Sequence, residues 1–340
     1  MDKTVALVSV IVIAYNNENI SSALLSASQQ IYSNVEIIVV DDGSSDQTYS
    51  LIKEFSLSDK RVKYVQNKTN LGRSASRNVG LSLSAGEYFV FLDADDFLPA
   101  PSVKEQLDIA IAYQADIVFG KTTAIDIEKN LEVSHYTDHI INKTLNNIDV
   151  KQKPNLINNN QIVGRLYRKD YVTKNDILFP DNRRNAEDLY FNYFSLMQGA
   201  VVSTAPNVNS YIYKVGNYLN TGSKNKICDA RDNLLEILNH AINYGNQQIL
   251  DVVLKKCLDF VSILDRPAKA YGSDERDFIN FLASLRPLVS NISEADIDSL
   301  PVHRRDIARF IKNGYYYGAY DRWVNSKMYW SKWKQKTAKS

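Results

Sequence analysis

Cysteine and histidine are scarce in this sequence, which has two cysteines and four histidines among 340 residues. Cys228 and Cys257 are too far apart to form a metal-binding pair of the usual spacing, so we expect neither zinc nor a disulfide framework. The scattered histidines give no histidine-rich metal site. A reducing cytosol is the simplest setting for such a chain.

Long apolar runs are also missing. No stretch reaches the roughly 18 apolar residues that a membrane-spanning helix needs, so we expect none. The segment Val5–Ala14 is short and polar residues follow it at once, which argues against a signal peptide. No glycine follows this segment either, because the next residues are Tyr15-Asn16-Asn17. A nucleotidyltransferase usually needs a glycine-rich phosphate loop there, so that class is a disfavoured alternative.

The overall composition is that of a globular protein with one or two domains. Hydrophobic residues make up 44% and charged residues 23%, and the net charge is +1. Strand-like and helix-like segments alternate at short intervals in the first third of the chain. This alternation predicts an α/β fold with a mainly parallel central sheet. The predicted strands are Val8–Ala14, Val35–Val40, Val62–Gln66 and the apolar run Tyr88–Leu92.

The apolar run Tyr88–Leu92 ends in three acids among four residues, Asp93, Asp95 and Asp96. Ligands of open α/β sheets bind beyond the carboxyl ends of the strands. Asp93 and Asp95 are two residues apart and would project to the same side of an extended chain, where a hard divalent cation can relieve their repulsion. The alternative is an Asp-rich turn or helix cap without a ligand.

Five short motifs, taken in their order along the chain, resemble glycosyltransferase family 2. They are Ala14-Tyr15-Asn16, Val39-Val40-Asp41-Asp42-Gly43-Ser44, Asn70-Leu71-Gly72 with Ser76-Arg77-Asn78, Asp93-Ala94-Asp95, and Ala186-Glu187-Asp188. The resemblance covers about residues 5–225. It implies a Rossmann-like GT-A fold and inverting transfer of a sugar from a nucleotide sugar. Phe179-Pro180 followed by Ala186-Glu187-Asp188-Leu189 is similar to bacterial enzymes that decorate wall teichoic acid or build capsule and other surface glycans.

The resemblance also implies residues for the donor. Asp95, with Asp93, would hold Mn²⁺ or Mg²⁺ against the diphosphate, and Asp93 would also contact the donor. Tyr15 would stack on the base, Asp42 would accept the imide N–H of uracil, and Arg77 would donate to carbonyl or phosphate oxygens. Alternatively, Tyr15 only packs, Asp42 caps a turn, and Arg77 is a solvated surface side chain. The implied donor-binding residues are Ala14, Tyr15, Asp42, Asn70, Arg77, Asp93, Lys214 and Ser223.

Glu187 and Asp188 begin an apolar helix for which Asn185 is the predicted N-cap. Acids at a helix start also favour the macrodipole and need no catalytic role. The resemblance assigns the general base to the Asp of the Glu-Asp pair, which is Asp188, with Glu187 orienting the acceptor or the base. A single displacement with one base inverts the anomeric centre, so an α-linked donor gives a β-linked product.

The segment from Tyr211 to Ser223 resembles the family's loop that closes over the diphosphate. Lys214 and Ser223 would contact phosphate oxygens, by charge and by hydroxyl respectively. Asn220 stands where many relatives have a metal-ligating histidine, which argues against a metal contact from this loop. A Ser/Gly turn without a ligand is the alternative.

Two regions are predicted from composition alone. Residues 126–160 are rich in asparagine and predict an irregular insertion, and residues 225–340 show the spacing of amphipathic helices. We therefore expect a GT-A domain at 1–224 and a mostly helical domain at 225–340. Residues 301–340 hold ten basic residues, two acids and all three tryptophans. The segment Trp323–Lys339 is predicted to contact an anionic membrane or polymer, or else to pack on the core.

The sequence therefore predicts a metal-dependent inverting glycosyltransferase. The expected donor is a UDP-sugar, and the expected acceptor is a surface glycan, polyol-phosphate polymer, lipid-linked glycan or protein; no nucleic-acid partner is expected. The predicted location is the cytoplasm, with peripheral contact to the inner face of the plasma membrane. The alternatives are an inactive nucleotide-sugar-binding or scaffolding relative and the nucleotidyltransferase.

Overall fold

The computed structural model describes residues 5–126, 129, 131–133, 141–180, 182–215, 224–262, 275–300 and 302–319. It divides into two compact units, residues 1–219 and residues 220–340. The predicted domain boundary after residue 224 stays a prediction, because residues 216–223 are outside the described ranges.

The first unit is built on a large mixed sheet. Its strands are β1 (Val8–Ala14), β2 (Val35–Asp41), β3 (Val62–Gln66), β4 (Tyr88–Asp93), β5 (Ile117–Asp126), β6 (Leu131–Val133), β7 (Leu145–Ile148), β8 (Arg165–Arg168) and β9 (Val202–Val215). They lie in the order β3-β2-β1-β4-β8-β5-β9-β7, and β6 pairs with β5. The predicted α/β fold with a mostly parallel central sheet is confirmed.

Helices connect the strands of this unit. They are α1 (Ile20–Ser28), α2 (Thr48–Ser58), α3 (Arg73–Leu83), α4 (Ser102–Tyr113), a 3₁₀ turn at Pro154–Asn158, α5 (Lys169–Lys174) and α6 (Glu187–Met197). The expectation of an irregular insertion at 126–160 is wrong in part, because β6 and β7 lie there and pair with β5 and β9. Their few apolar residues belong to short strands, whose weak alternation the sequence does not reveal.

The parallel half of the sheet is buried on both faces. Every residue of β1 and β2 is buried, as the uninterrupted apolar runs predict for central parallel strands. All these strands point their carboxyl ends to one edge, since Ala14 pairs with Asp41 and Ile13 pairs with Asp93. That edge is where the motif residues of the first third of the chain meet.

An aromatic cluster brings α6 to the same edge. Phe91 of β4 packs edge-on against Phe191 of α6 at a ring-centroid distance of 6.0 Å. Phe179 stacks on Phe191 at 4.2 Å and meets Phe91 at 5.5 Å. These rings are buried, so their packing fixes the start of α6 next to the end of β4.

The second unit is helical wherever it is described. Its helices are α7 (Lys224–Tyr244), α8 (Gln247–Ser262), α9 (Glu275–Ser284), α10 (Arg286–Ser290), α11 (Glu294–Asp298) and α12 (Val302–Lys312). Helix α8 packs against α7, α10 and α12, with Ile249, Val253 and Cys257 fully buried. Among the described residues, no helix is long and apolar enough to span a membrane.

Candidate active site

The ends of β1 and β2 place the predicted nucleoside-binding residues side by side. The backbone N–H of Asp42 donates to the carbonyl of Ala14 at 2.8 Å, which joins the two strand ends. Ala14 is buried, whereas the next residue, Tyr15, is 49% exposed. The exposed ring of Tyr15 is thus available for stacking, while Ala14 contributes backbone structure.

Asp42 holds the turn that carries Asn70 and Gly72. Its Oδ1 accepts from the Nδ2 of Asn67 and from the N–H of Leu71, both at 2.9 Å, and its Oδ2 accepts from the N–H of Gly72 at 2.9 Å. The residue is 2% exposed. Asp42 therefore fastens a neighbouring turn, and a second acceptor position on Oδ2 has no protein donor among these bonds.

The turn before α3 is also held from the far side, by Arg184. The Nη1 and Nη2 atoms of Arg184 donate to the side-chain Oδ1 and the carbonyl of Asn70, at 3.1 and 2.9 Å. Gly72 has a φ of +94°, and a Cβ there would lie 2.9 Å from the Cγ of Arg184. Glycine is required at this position for its backbone conformation and for the approach of the arginine.

Arg77 is buried in the centre of the site. Its Nη2 lies 3.1 Å from Oδ1 of Asp93, and its Nη1 lies 2.9 Å from Oε1 of Glu187 and 2.7 Å from Oδ1 of Asp188. The side chain has no exposed surface, so the alternative of a solvated surface residue is wrong. Its guanidinium is occupied by protein carboxylates, and the geometry gives no support to the predicted direct contact with the nucleotide.

Glu187 and Asp188 occupy the first turn of α6. The residue that precedes the helix is Ala186, with a φ of +57°, so the prediction of Asn185 as N-cap is wrong by one residue. Glu187 is 1% exposed, and its Oε1 also contacts the Nε of Arg73 at 3.0 Å. The Asp188 side chain is 33% exposed. The helix thus directs one acid inward and leaves the other accessible.

The environment of Asp188 raises the pKa of its carboxyl above the usual value. Burial is the main cause, the charges of Glu187 and Asp93 act in the same direction, and Arg77 and Arg73 oppose them. A carboxyl with a raised pKa is a better proton acceptor than an ordinary aspartate.

The acid-rich turn after β4 is tied to β9 by Asp96. Its Oδ2 accepts from the hydroxyl of Tyr211 at 2.6 Å, and its Oδ1 accepts from the N–H of Lys214 at 2.9 Å. The same tyrosine oxygen accepts from the N–H of Asp93 at 3.2 Å. Burial raises the pKa of Asp96 to about 7, and the nearby charges of Asp93 and Asp95 add to this. The sequence analysis assigned Asp96 no role and missed Tyr211.

Asp93 and Asp95 are the candidate metal ligands of this turn. Both side chains are partly exposed, in contrast to Asp96. Among the described residues, no three His, Cys, Asp or Glu side chains form a metal cluster. Two carboxylates nevertheless match the donor set of a Mg²⁺ or Mn²⁺ ion that takes its other oxygens from substrate phosphates and water. The residues present fit such an ion.

The remaining predicted residues separate into two groups. Lys214 is described and half-buried, and its backbone holds Asp96. Ser223, Asn220 and the basic-aromatic segment Trp323–Lys339 lie outside the described residues. The site therefore consists of Asp93, Asp95, Glu187 and Asp188 around Arg77, with Tyr15, Asp42 and Asn70 at the adjoining strand ends.

Comparison with known families explains this arrangement. Residues 9–174 match the model of the family described as glycosyl transferase family 2. Over these residues the chain is a member of glycosyltransferase family 2. The predicted resemblance is confirmed.

Curated relatives include other bacterial glycosyltransferases. An uncharacterized glycosyltransferase of Haemophilus influenzae is 37% identical over 51% of this chain and 58% of its own length. The Escherichia coli enzyme named UDP-Glc:alpha-D-GlcNAc-diphosphoundecaprenol beta-1,3-glucosyltransferase WfgD is 31% identical over 51% of this chain and 55% of its own. The chain thus spans little more than half of the length of these relatives.

A third relative matches along almost the whole chain. The poly(ribitol-phosphate) beta-N-acetylglucosaminyltransferase TarS of Staphylococcus aureus is 25% identical over 91% of this chain and 56% of its own. The crystal structure of TarS residues 1–349 in complex with UDP superposes with a TM-score of 0.75 at 21% identity, covering 95% of this chain and 91% of that one. The two proteins share the fold.

Proposed function

We propose that this chain is an inverting glycosyltransferase that transfers a sugar from a UDP-sugar to a hydroxyl of a bacterial surface glycan. One observation carries the proposal: a single buried guanidinium contacts both Asp93, at the end of β4, and Asp188, at the start of α6. A donor-side carboxylate and a base candidate therefore lie on opposite sides of one arginine. Membership of family 2 over residues 9–174 supports the same reaction class.

The donor nucleotide would bind at the ends of β1 and β2. The exposed ring of Tyr15 offers a stacking surface for the base, and Oδ2 of Asp42 has an acceptor position for an imide N–H. The UDP in the TarS complex supports a uridine nucleotide. Lys214 and Ser223 remain proposed phosphate contacts.

Asp95 and Asp93 would hold Mn²⁺ or Mg²⁺ beside the diphosphate. When bound, the ion supplies a Lewis acid that offsets the charge of the leaving group. The tie from Asp96 to Tyr211 fixes the turn that carries both ligands, so their carboxylates are held ready for the ion.

Asp188 would act as the general base. Its carboxylate takes the proton of the acceptor hydroxyl as that oxygen forms a bond to the anomeric carbon. The bond from this carbon to the diphosphate oxygen breaks, and UDP leaves with the electron pair. Attack opposite to the leaving group inverts the centre, so an α-linked donor yields a β-linked product. Glu187, which is buried, would act by orienting its neighbours.

The acceptor is proposed from the relatives. WfgD is named for a diphosphoundecaprenol-linked acceptor and TarS for a poly(ribitol-phosphate) one. We propose an acceptor of one of these anionic classes, or a protein destined for the cell surface. Transfer would take place in the cytoplasm, at the inner face of the membrane, where Trp323–Lys339 would add peripheral contact.

Product analysis tests the proposal. The protein is incubated with Mn²⁺ and with UDP-glucose or UDP-N-acetylglucosamine, in the presence of a lipid-linked or polyol-phosphate acceptor. Release of UDP supports a glycosyltransferase, whereas release of pyrophosphate would show a nucleotidyltransferase. Binding of UDP without turnover of any UDP-sugar would instead indicate an inactive binding relative.

Asp188→Asn then separates chemistry from binding. Turnover should fall by about two to four orders of magnitude, the usual contribution of a general base, while UDP affinity changes little. Asp170→Asn is the matched control, because Asp170 is an exposed acid in the first turn of α5 and tests the effect of the helix dipole alone. Equal losses in both variants, or a parallel loss of UDP binding in Asp188→Asn, would contradict the assignment.

A further inference from the structure

Arg77 occupies the point where α3, β4 and α6 meet. We propose that Arg77 is a positioning residue for the base: it holds one oxygen of Asp188 in place and directs the other oxygen to the acceptor. This inference rests on the proposed function, because it takes Asp188 as the base. It replaces the expectation that Arg77 is a contact of the nucleotide.

The hydrogen bonds of Arg77 leave its guanidinium little freedom to move. Nη1 donates to Glu187 at 2.9 Å and to Asp188 at 2.7 Å, and Nη2 donates to Asp93 at 3.1 Å. The guanidinium carbon lies 5.4 Å from the centre of the Phe179 ring, which closes one face of the group. A planar fork with three carboxylate partners fixes direction as well as charge.

The contact with Asp188 uses only Oδ1. The Arg77 side chain has no exposed surface, whereas the Asp188 side chain is 33% exposed. The arginine therefore lies on the inner side of the carboxylate, and the second oxygen, Oδ2, is left to receive a proton from outside. A free aspartate side chain would rotate and share its time between both orientations.

Glu187 anchors the arginine rather than the substrate. It is 1% exposed and binds both Arg77 and Arg73 through Oε1. Its other oxygen, Oε2, has no hydrogen-bond partner, and neither has the Nε of Arg77. A fully buried guanidinium needs a buried counter-charge, and Glu187 supplies it so that Asp188 need not be fully buried.

The charges around Asp188 determine the effect of removing Arg77. Burial raises the pKa of Asp188 and the two arginines on α3 lower it. Loss of the contact at 2.7 Å would raise that pKa further, by about one unit or more for an opposite charge at this distance. The groups that face Asp188 are Arg73 and Arg77 on α3, Asp93 at the end of β4, Glu187 on α6 and the phenol of Tyr167 on β8.

The experiment compares Arg77→Lys and Arg77→Gln with Arg73→Gln in the full chain. Arg73 lies one turn earlier on α3 and shares Oε1 of Glu187, but no ion pair joins it to Asp188. Three measurements are made: UDP affinity by calorimetry, the pH profile of kcat/KM with the UDP-sugar that turns over, and the carboxyl stretch of Asp188. The last comes from infrared difference spectra against Asp188→Asn across pH, and it requires no turnover.

We expect Arg77→Gln to move the acid limb of kcat/KM and the infrared transition of Asp188 to higher pH by about one unit or more. Arg77→Lys keeps the charge but loses the fork, so we expect kcat to fall about tenfold with a smaller shift. Arg73→Gln should shift both readouts less than Arg77→Gln, and UDP affinity should change less than about threefold in all three variants. If Arg77→Gln does not fold, Arg77→Lys still tests the fall in kcat at constant UDP affinity.

An opposite pattern would overturn the inference. A tenfold or larger loss of UDP affinity in Arg77→Lys, with kcat and the Asp188 transition unchanged, would return Arg77 to the nucleotide site. If no UDP-sugar turns over in the wild-type protein, the proposed function fails, while the infrared transition still reports whether Arg77 controls the Asp188 carboxylate.

Discussion

The substitution Asp42→Asn tests how the donor side of the site is built. Asp42 accepts three hydrogen bonds, two at Oδ1 from Asn67 and Leu71 and one at Oδ2 from Gly72. An asparagine keeps the most bonds when its oxygen takes the place of Oδ1. Its amide group then faces the N–H of Gly72, so that one bond to a charged acceptor is lost and two donors oppose each other.

The cost follows from the burial of the group. Asp42 is 2% exposed, so water does not readily replace the lost partner. Losing one hydrogen bond to a charged group costs about 1.5–3 kcal/mol of unfolding free energy. In a unit of 219 residues each kcal/mol corresponds to about 2–4 °C, so the melting temperature should fall by roughly 4 °C or more. Asp42→Ala, which loses all three bonds, should cost more.

Differential scanning calorimetry without nucleotide measures this effect. Asp108→Asn is the control, because Asp108 is an exposed partner of Lys104 on α4 and such pairs contribute at most about 1 kcal/mol. A melting temperature of Asp42→Asn within about 1 °C of the wild type, no lower than that of the control, would refute the role of Asp42 in holding the turn.

Two further predictions concern catalysis. The raised pKa of Asp188 predicts that kcat/KM falls as pH decreases through that pKa, since the base must be deprotonated, and that this limb lies above the range of an ordinary aspartate; a pH profile without an acid limb above about pH 4 would contradict it. Asp95→Asn should abolish Mn²⁺-dependent UDP binding and turnover with an unchanged melting curve, because it removes ligand charge without changing side-chain volume; calorimetry with Mn²⁺ or EDTA measures this, and near wild-type turnover in both conditions would exclude Asp95 as a ligand.

The sheet of the first third could be predicted from the sequence because its strands are buried on both faces. Continuous apolar runs such as Val8–Ala14 have the composition of central parallel strands, and their bounds agree with the structure. The strands at Leu131–Val133 and Leu145–Ile148 could not be predicted in this way. They are short and largely exposed, so tertiary pairing rather than local composition determines them.

Part of the site could also be predicted, namely which residues gather at the sheet edge. The partners of each side chain could not, since Arg77 and Asp188 are separated by 111 positions in the chain. Sequence patterns show that an arginine and several acids lie near one edge, but not which carboxylate the arginine meets. For the same reason Asp96 had no assigned role, because its partner Tyr211 belongs to a distant strand.

The buried ion pairs of Arg77 also define the shortest fragment that can keep this arginine in place. The family match ends at residue 174, whereas Glu187 and Asp188 come later in the chain. A fragment cut at residue 174, or a ribosome-bound chain that has emerged to that point, would retain Asp93 as the only one of the three carboxylate partners. An expression fragment designed on the family match alone would therefore separate Arg77 from two of its counter-charges.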